Sequence, residues 1–543
     1  MPSAALLTTL LGWAALAGPG LAQEPLSAID WLRRNPPSVP PMARPGTPGR
    51  AVLPGAVPGA SNSHLAGLPP RAEPPVTDGV SAPVIEVTPL DASPMSMGLV
   101  PATVTGLPAS LWSGSRAVTL SRLIRTVPAQ SPAMQSVLYT LLLAEAQPPR
   151  DAGASTELTL AMIDRLMDLG AVEPAEALAR RVGPTRSPDL FARWFDATLL
   201  TGTEDAACAT LAANPFLARE YSPRIYCSAR RGDWPAAALM LDTAEALGDL
   251  DGARAALLAR FLHGDLDDEL LPPPAPPVAV APLDFRLYEA IGERLPTQSL
   301  PRAFAHADLR DVAGWKAQLE AAERLARTGA LSANLFLGIY TERQPAASGG
   351  VWDRVQAVQR FETALSTGSA AAIGKTLRPA WDAMRAAGTE VTFATLFAGE
   401  LAAHPPESAT ARALAWRIRL LSEQYERAAR DMPEGGGTGA RAEAEFLAGI
   451  ARGRPEAGPN DPDLYQAIAA GFDDAAELPR TLRDLRQGDA LGEMILRAMA
   501  LYQQGLDGNP EALTDALAAF RSVGMEDTAR RAALQLILLE PRR

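Results

Sequence analysis

The chain has 543 residues, a formal net charge of −12 and only two cysteines. That acidic balance argues against a general nucleic-acid binder, and two sulfurs without a CxxC spacing fill neither a zinc site nor a redox pair. With 49 prolines, 43 glycines and 6% aromatic residues, the composition is that of a folded protein with strongly biased segments.

Residues 1–22 read as a signal peptide: Leu6 to Leu16 is an apolar core, and Gly20-Leu21-Ala22 places small residues where a signal peptidase cuts. The run is too short for a membrane anchor, and Gly18-Pro19-Gly20 breaks it. No other stretch is long and apolar enough to span a bilayer, so the mature chain is expected to be periplasmic with no transmembrane segment. Residues 23–110 form a Pro-rich leader. Its composition cannot bury enough apolar surface to offset ordering entropy, and it is expected to be largely disordered. Two islands stand out. Ala28 to Arg34 is an amphipathic segment that presents Trp31 as a docking motif, and Val84 to Leu90 alternates like a short strand and is expected to pack on the protein's own helices.

Helical patterning begins near Ala117, where Leu120, Leu123 and Ile124 share a face, and an N-terminal helical array is expected over 115–271. Within it Gly170, Gly202, Gly232 and Gly264 recur at intervals of 32, 30 and 32 residues, each followed closely by an acid. A second comb of breakers, Gly183-Pro184, Asn214-Pro215 and Gly248-Asp249, lies between them. Glycine suits the left-handed residue just past a helix end, and an acid with a following proline suits the next start. Two interlocked combs near thirty residues predict stacked helical hairpins, because one hairpin cannot bury its apolar face alone. The segment Gly232-Asp-Trp-Pro-Ala-Ala-Ala-Leu resembles the second half of a tetratricopeptide-type repeat, over one repeat. With the export signal, the chain resembles secreted tetratricopeptide-like helical-repeat proteins of Gram-negative bacteria. The resemblance implies an all-α, right-handed α-solenoid and no particular ligand.

Cys208 lies before the break at Asn214-Pro215, and Cys227 lies about as far past the helix start at Ser222-Pro223. At about 1.5 Å rise per residue, both sit roughly 8 Å from the turn, at one height on adjacent helices. A disulfide is expected in an oxidising compartment, the alternative being two buried thiols.

A Pro-rich linker, 272–283, separates the array from a second helical block over 284–430. There Trp315, Leu319, Ala322 and Leu325 mark an amphipathic helix ending at Gly329, and further helices are expected at Trp352–Leu365, Ala370–Ala387 and Ala411–Ala429. A flexible loop at 431–440 leads into a C-terminal block, 441–543, whose last part reads as three helices.

No catalytic motif is present: there is no Gly-x-Ser-x-Gly, no P-loop and no dinucleotide fingerprint. The four histidines are far apart, Gly264 to Leu270 lacks the glycine and distal Glu of an EF-hand, and Glu320 and Glu323 read as a solvated helix face. No cofactor or metal is expected, and no enzymatic activity. The most unusual loop runs from Tyr340 to Arg354. Its small residues are flanked by Tyr340, Arg343, Trp352 and Arg354, residue types that anchor recognition surfaces, although Trp352 could equally belong to the core. The expected function is a non-enzymatic periplasmic scaffold or adaptor that binds another envelope protein through a groove lined by apolar and arginine side chains. The alternative is a peptidoglycan-binding or peptidoglycan-processing envelope protein, which would need a cleft with an isolated, buried carboxyl of raised pKa. Soluble lytic transglycosylases are similar in helical class, but no segment here matches their lysozyme-like domain.

Overall fold

The computed structural model describes residues 97–153, 155–263, 274–433 and 437–539. The segment 1–22 expected as a signal peptide, Trp31, the Val84–Leu90 island and Gly264 lie outside those residues. The described residues form α-helices joined by tight turns, with two isolated bridges, Met97 to Ala146 and Val100 to Ala144, and no strand. The fold is all-α.

The glycine comb does what its chemistry suggests. Helices Glu157–Leu169, Pro188–Thr201 and Tyr221–Arg230 end at or just before Gly170, Gly202 and Gly232, whose φ angles are 85°, 81° and 87°. Restarts follow the expected rule as well. Ser187 caps the helix led by Pro188, and the Asp233 carboxylate accepts from the Ala236 N–H where Trp234–Leu247 begins. Consecutive helices then pack on one another, 157–169 on 172–182, 172–182 on 188–201, and 351–366 on 370–387.

Bare glycines also let arginines reach the helix ends. The Arg302 stem crosses Gly170, where a Cβ would come within 3.0 Å of its Cγ, and Arg302 Nη1 donates to the Asp168 carbonyl at 3.2 Å. Arg327 lies over Gly388 and its Nε donates to the Ala387 carbonyl at 2.6 Å. Each guanidinium satisfies a carbonyl the helix leaves free and meets the negative end of its dipole.

Cys208 and Cys227 form a disulfide between helices Asp205–Ala213 and Tyr221–Arg230, with Cα atoms 4.9 Å apart and both residues buried. The helices at 351–366 and 370–387 match expectation closely, and three helices, Leu491–Leu506, Pro510–Ser522 and Glu526–Leu538, close the chain. The segment expected as one helix at Ala411–Ala429 is two, Ala409–Leu420 and Tyr425–Ala428. Ser422 explains the break: its hydroxyl donates to the Arg419 carbonyl and accepts from the Gln424 N–H, drawing backbone groups out of the helical ladder.

Three long-range relationships were not visible in the local pattern. Residues 97–110, inside the stretch 23–110 expected as leader, already belong to the fold, because Met97, Leu99 and Val100 bond to backbone between Leu143 and Ala146. The residues after the Pro-rich linker pack back on the first array: Thr328 Oγ1 donates to the Leu169 carbonyl at 2.7 Å, and helix Pro282–Ala290 lies against Pro188–Thr201. One hydrophobic cluster consequently runs from Met97 to Leu534. Finally, the first helices meet the last. Helix Ala117–Thr126 packs on Leu491–Leu506, and Pro132–Leu143 packs on Glu526–Leu538. Trp112, fully buried, fills the space over Gly492, whose N–H donates to the Leu111 carbonyl at 3.0 Å.

Candidate partner-binding groove and loop

Three of the four side chains singled out in the 340–354 loop form its base. Tyr340 is buried and its hydroxyl donates to Glu323 Oε1 at 2.6 Å. Arg354 donates through Nε and Nη2 to the two oxygens of the same carboxylate, each at 2.7 Å. Trp352 packs on Trp315 with ring centroids 5.2 Å apart, and Trp315 Nε1 donates to the Ile339 carbonyl. Arg343 is exposed and pairs with its neighbour Glu342. Gln359 pins both ends of the entry, donating to the carbonyls of Tyr340 and Arg343 at 2.8 and 2.7 Å. From Thr341 to Gly350 nearly every residue is exposed, so a solvent-facing tip stands on a rigid base.

Glu323 is a correction. It was expected on a solvated face beside Glu320, yet it is 2% exposed while Glu320 pairs with Lys316 nearer the surface. The helix alone gives no hint of this, since the groups that bury and satisfy Glu323 arrive 17 and 31 residues later. Burial, followed by the adjacent Glu323 charge, pushes the Tyr340 hydroxyl well above its usual range. Burial works against the Arg354 charge, but the bonds to Glu323 outweigh it and hold that guanidinium above its ordinary value.

The same three-part arrangement recurs. Glu204, fully buried, accepts from the Tyr226 hydroxyl at 2.9 Å and from Arg286 Nη2 at 2.7 Å. Asp527 accepts from the Tyr425 hydroxyl at 2.7 Å and pairs with Arg531 Nε at 2.9 Å. Each lock ties a carboxylate to a tyrosine and an arginine; for Glu204 and Glu323 it partners a charge whose isolated burial would be costly, whereas Asp527 is exposed.

An open groove of about 670 Å³ lies at the end of the last described helix. Its walls include Trp381, Leu414, Leu464 and Tyr465, and Leu536 to Leu539. Four consecutive apolar residues at the end of a helix cannot all face one core, and Leu536, Ile537, Leu538 and Leu539 are each only partly buried. Tyr465 is held flat by Phe446, with ring centroids 4.1 Å apart. Arg378, Arg385 and Arg417 also line the groove, with Glu390 and Glu443; Arg378 and Arg385 pair with Asp382, and Arg417 with Glu443. A second cavity of about 280 Å³ lies where the meeting ends adjoin residues 326–333 and 388–395, with Tyr139, Thr328, Thr389 and Gln535 among its polar lining.

No group of three or more His, Cys, Asp or Glu side chains gathers as a metal site among the described residues. No described helix is long and apolar enough to cross a membrane. One carboxyl is strongly perturbed: burial, reinforced by the charges of Asp284, Asp164 and Glu220 and opposed by Arg193, pushes Asp196 up to about 7. It lines none of the cavities described above. Trp31, the remaining candidate contact, lies outside the described residues. No protein-family model, curated protein or solved structure matches the chain.

Proposed function

We propose that this protein is a non-enzymatic scaffold or adaptor of the periplasm, exported by its N-terminal signal and built as a right-handed solenoid of helical hairpins. It holds another envelope protein through the groove at its C-terminal end, with the exposed 341–350 tip as a second contact. The observation that carries this reading is the groove itself, where large apolar side chains stand beside arginines, the residue types that anchor protein interfaces. Its chemistry suits a partner segment with an apolar ridge and polar groups of both signs along the edge. The buried disulfide is compatible with an oxidising compartment. The carboxylates of Glu204, Glu323 and Asp527 are tied into the carboxylate–tyrosine–arginine locks. A peptidoglycan-processing reading would draw on Asp196, but a general acid must face a cleft, and no cavity described above has Asp196 on its wall.

The test is site-specific photo-crosslinking in intact cells, with the crosslinker at Leu464 in the groove or at Arg343 in the tip. One dominant envelope-protein adduct, lost from the folded Leu414→Glu variant, supports the adaptor. Absence of adducts from both sites, with retention on purified cell-wall sacculi that Asp196→Asn abolishes, would replace it with the peptidoglycan reading.

A further inference from the structure

A different site stands on the opposite kind of chemistry. Arg302 and Arg324 share a groove of about 470 Å³ with Met167, Leu200, Pro301 and Phe304. Both arginines are partly buried, and neither forms an ion pair among the described residues. Arg302 commits one N–H to the Asp168 carbonyl at 3.2 Å; Arg324 commits two, to the carbonyls of Thr297 and Leu300 at 2.7 and 2.8 Å. A guanidinium has five N–H donors, so most of the donors of this pair have no protein partner among the described residues. Those bonds to fixed carbonyls also hold each fork in place, which lowers the entropy lost when an anion is gripped.

The local charge balance points the same way. Burial, and then the nearness of Arg302 and Arg327, holds Arg324 below its usual range; burial, with Arg327 adding to it, does the same to Arg302. Among the described residues the one carboxylate on the groove wall is Asp168, itself held above its ordinary value by burial. Elsewhere in the chain, buried arginines such as Arg286 and Arg354 each have a carboxylate on hydrogen-bonding terms. This pair does not.

We infer that the Arg302–Arg324 groove binds a small amphipathic oxyanion, a phosphate or carboxylate head carried on an apolar group. The two guanidiniums hold the head, and Met167, Pro282 and Pro301, the apolar wall residues that keep accessible surface, receive the apolar part. The head could belong to a soluble metabolite or to a lipid, and the recognition chemistry is the same for both.

The experiment is calorimetric titration of the full chain with phenyl phosphate, inorganic phosphate and benzyl alcohol, followed by sedimentation with phosphatidylglycerol vesicles. Phenyl phosphate binds more tightly than either of the others, and Arg324→Gln weakens it by about tenfold or more. Because that change also removes two bonds to backbone, Met167→Glu is the second variant. It leaves both arginines and their bonds in place, puts a like charge beside the anion, and weakens binding to a similar extent in a protein that melts as wild type does. Vesicle binding lost in both variants assigns the head to lipid; phenyl phosphate binding without vesicle binding assigns it to a soluble ligand. No heat with phenyl phosphate, equal affinity for benzyl alcohol, or undiminished binding in folded Met167→Glu overturns the inference.

Discussion

The backbone N–H of Ala133 donates to Oε1 of Gln535 at 2.7 Å, joining positions 402 residues apart. Ala133 lies in the first turn of its helix, where backbone donors lack intrahelical partners, and Ser131 already serves Met134. The last helix therefore completes the cap of an early one. Gln535→Ala leaves that N–H buried and unpaired and should cost about 1–3 kcal/mol. Gly492→Ala acts on the same junction from the other side, since its Cβ would sit 2.4 Å from Trp112 Cε3. That overpacking should cost about 1–3 kcal/mol or more. Urea titration checks both. If the ends are one cooperative unit, each variant lowers a single midpoint, and amide exchange quickens at both ends together.

The Glu323 lock separates holding the loop from binding through it. Glu323→Gln leaves Arg354 without its charge partner and should cost about 3–5 kcal/mol, while Tyr340→Phe should cost about 1–2 kcal/mol. Because both act on one carboxylate, their double mutant should cost less than the sum, which thermal melts in a double-mutant cycle will measure. Replacing 344–348 by Gly and Ser should leave stability within about 0.5 kcal/mol and reduce partner crosslinking from the tip alone.

Reduction of the Cys208–Cys227 disulfide, which closes a sequence separation of 19 residues, should cost about 3 kcal/mol. Thiol titration of the unreduced, denatured protein should find no free thiol, and Cys208→Ser with Cys227→Ser should melt with the reduced protein.

Asp196 sets a pH dependence whose sign is opposite to that of a paired carboxylate. Its folded pKa of about 7 lies above the unfolded value, so the native state binds the extra proton. Stability from this group is full below about pH 4 and is lost as pH rises towards and through 7. Asp196→Asn should stabilise the protein by on the order of 2 kcal/mol at about pH 8, with little effect at about pH 4. Denaturation midpoints of the two proteins across that window give the answer; parallel curves would show that Asp196 titrates normally.

How far the chain could be read from sequence depended on the range of each interaction. Glycine caps, the restart at Asp233, and the disulfide across one turn all rest on neighbours within about one hairpin, and periodicity exposes those. Trp112 against Gly492 and Thr328 on the Leu169 carbonyl are pairings between distant segments, and no local pattern carries them. The loop shows the difference in one place. Tyr340, Trp352 and Arg354 were noticeable as residue types, but their partners, Glu323 and Trp315, sit on a helix whose own periodicity placed the acid in solvent. Over Gly170 and Gly388 arginine does cap chemistry that a compact ammonium on a flexible stem would perform poorly.

The meeting of first and last helices also bears on how such a chain can change over time. An open array of hairpins gains or loses one unit at small cost, because each touches only its neighbours and a terminal unit can be moved outward. Here both terminal faces are already occupied, by Trp112 over Gly492 and by Gln535 under Ala133. Duplicating or deleting a hairpin would pull those faces out of register, however well the new unit packed locally. The hairpin number is thereby locked, and variation is channelled into loop insertions such as 341–350 and into drift within the helices.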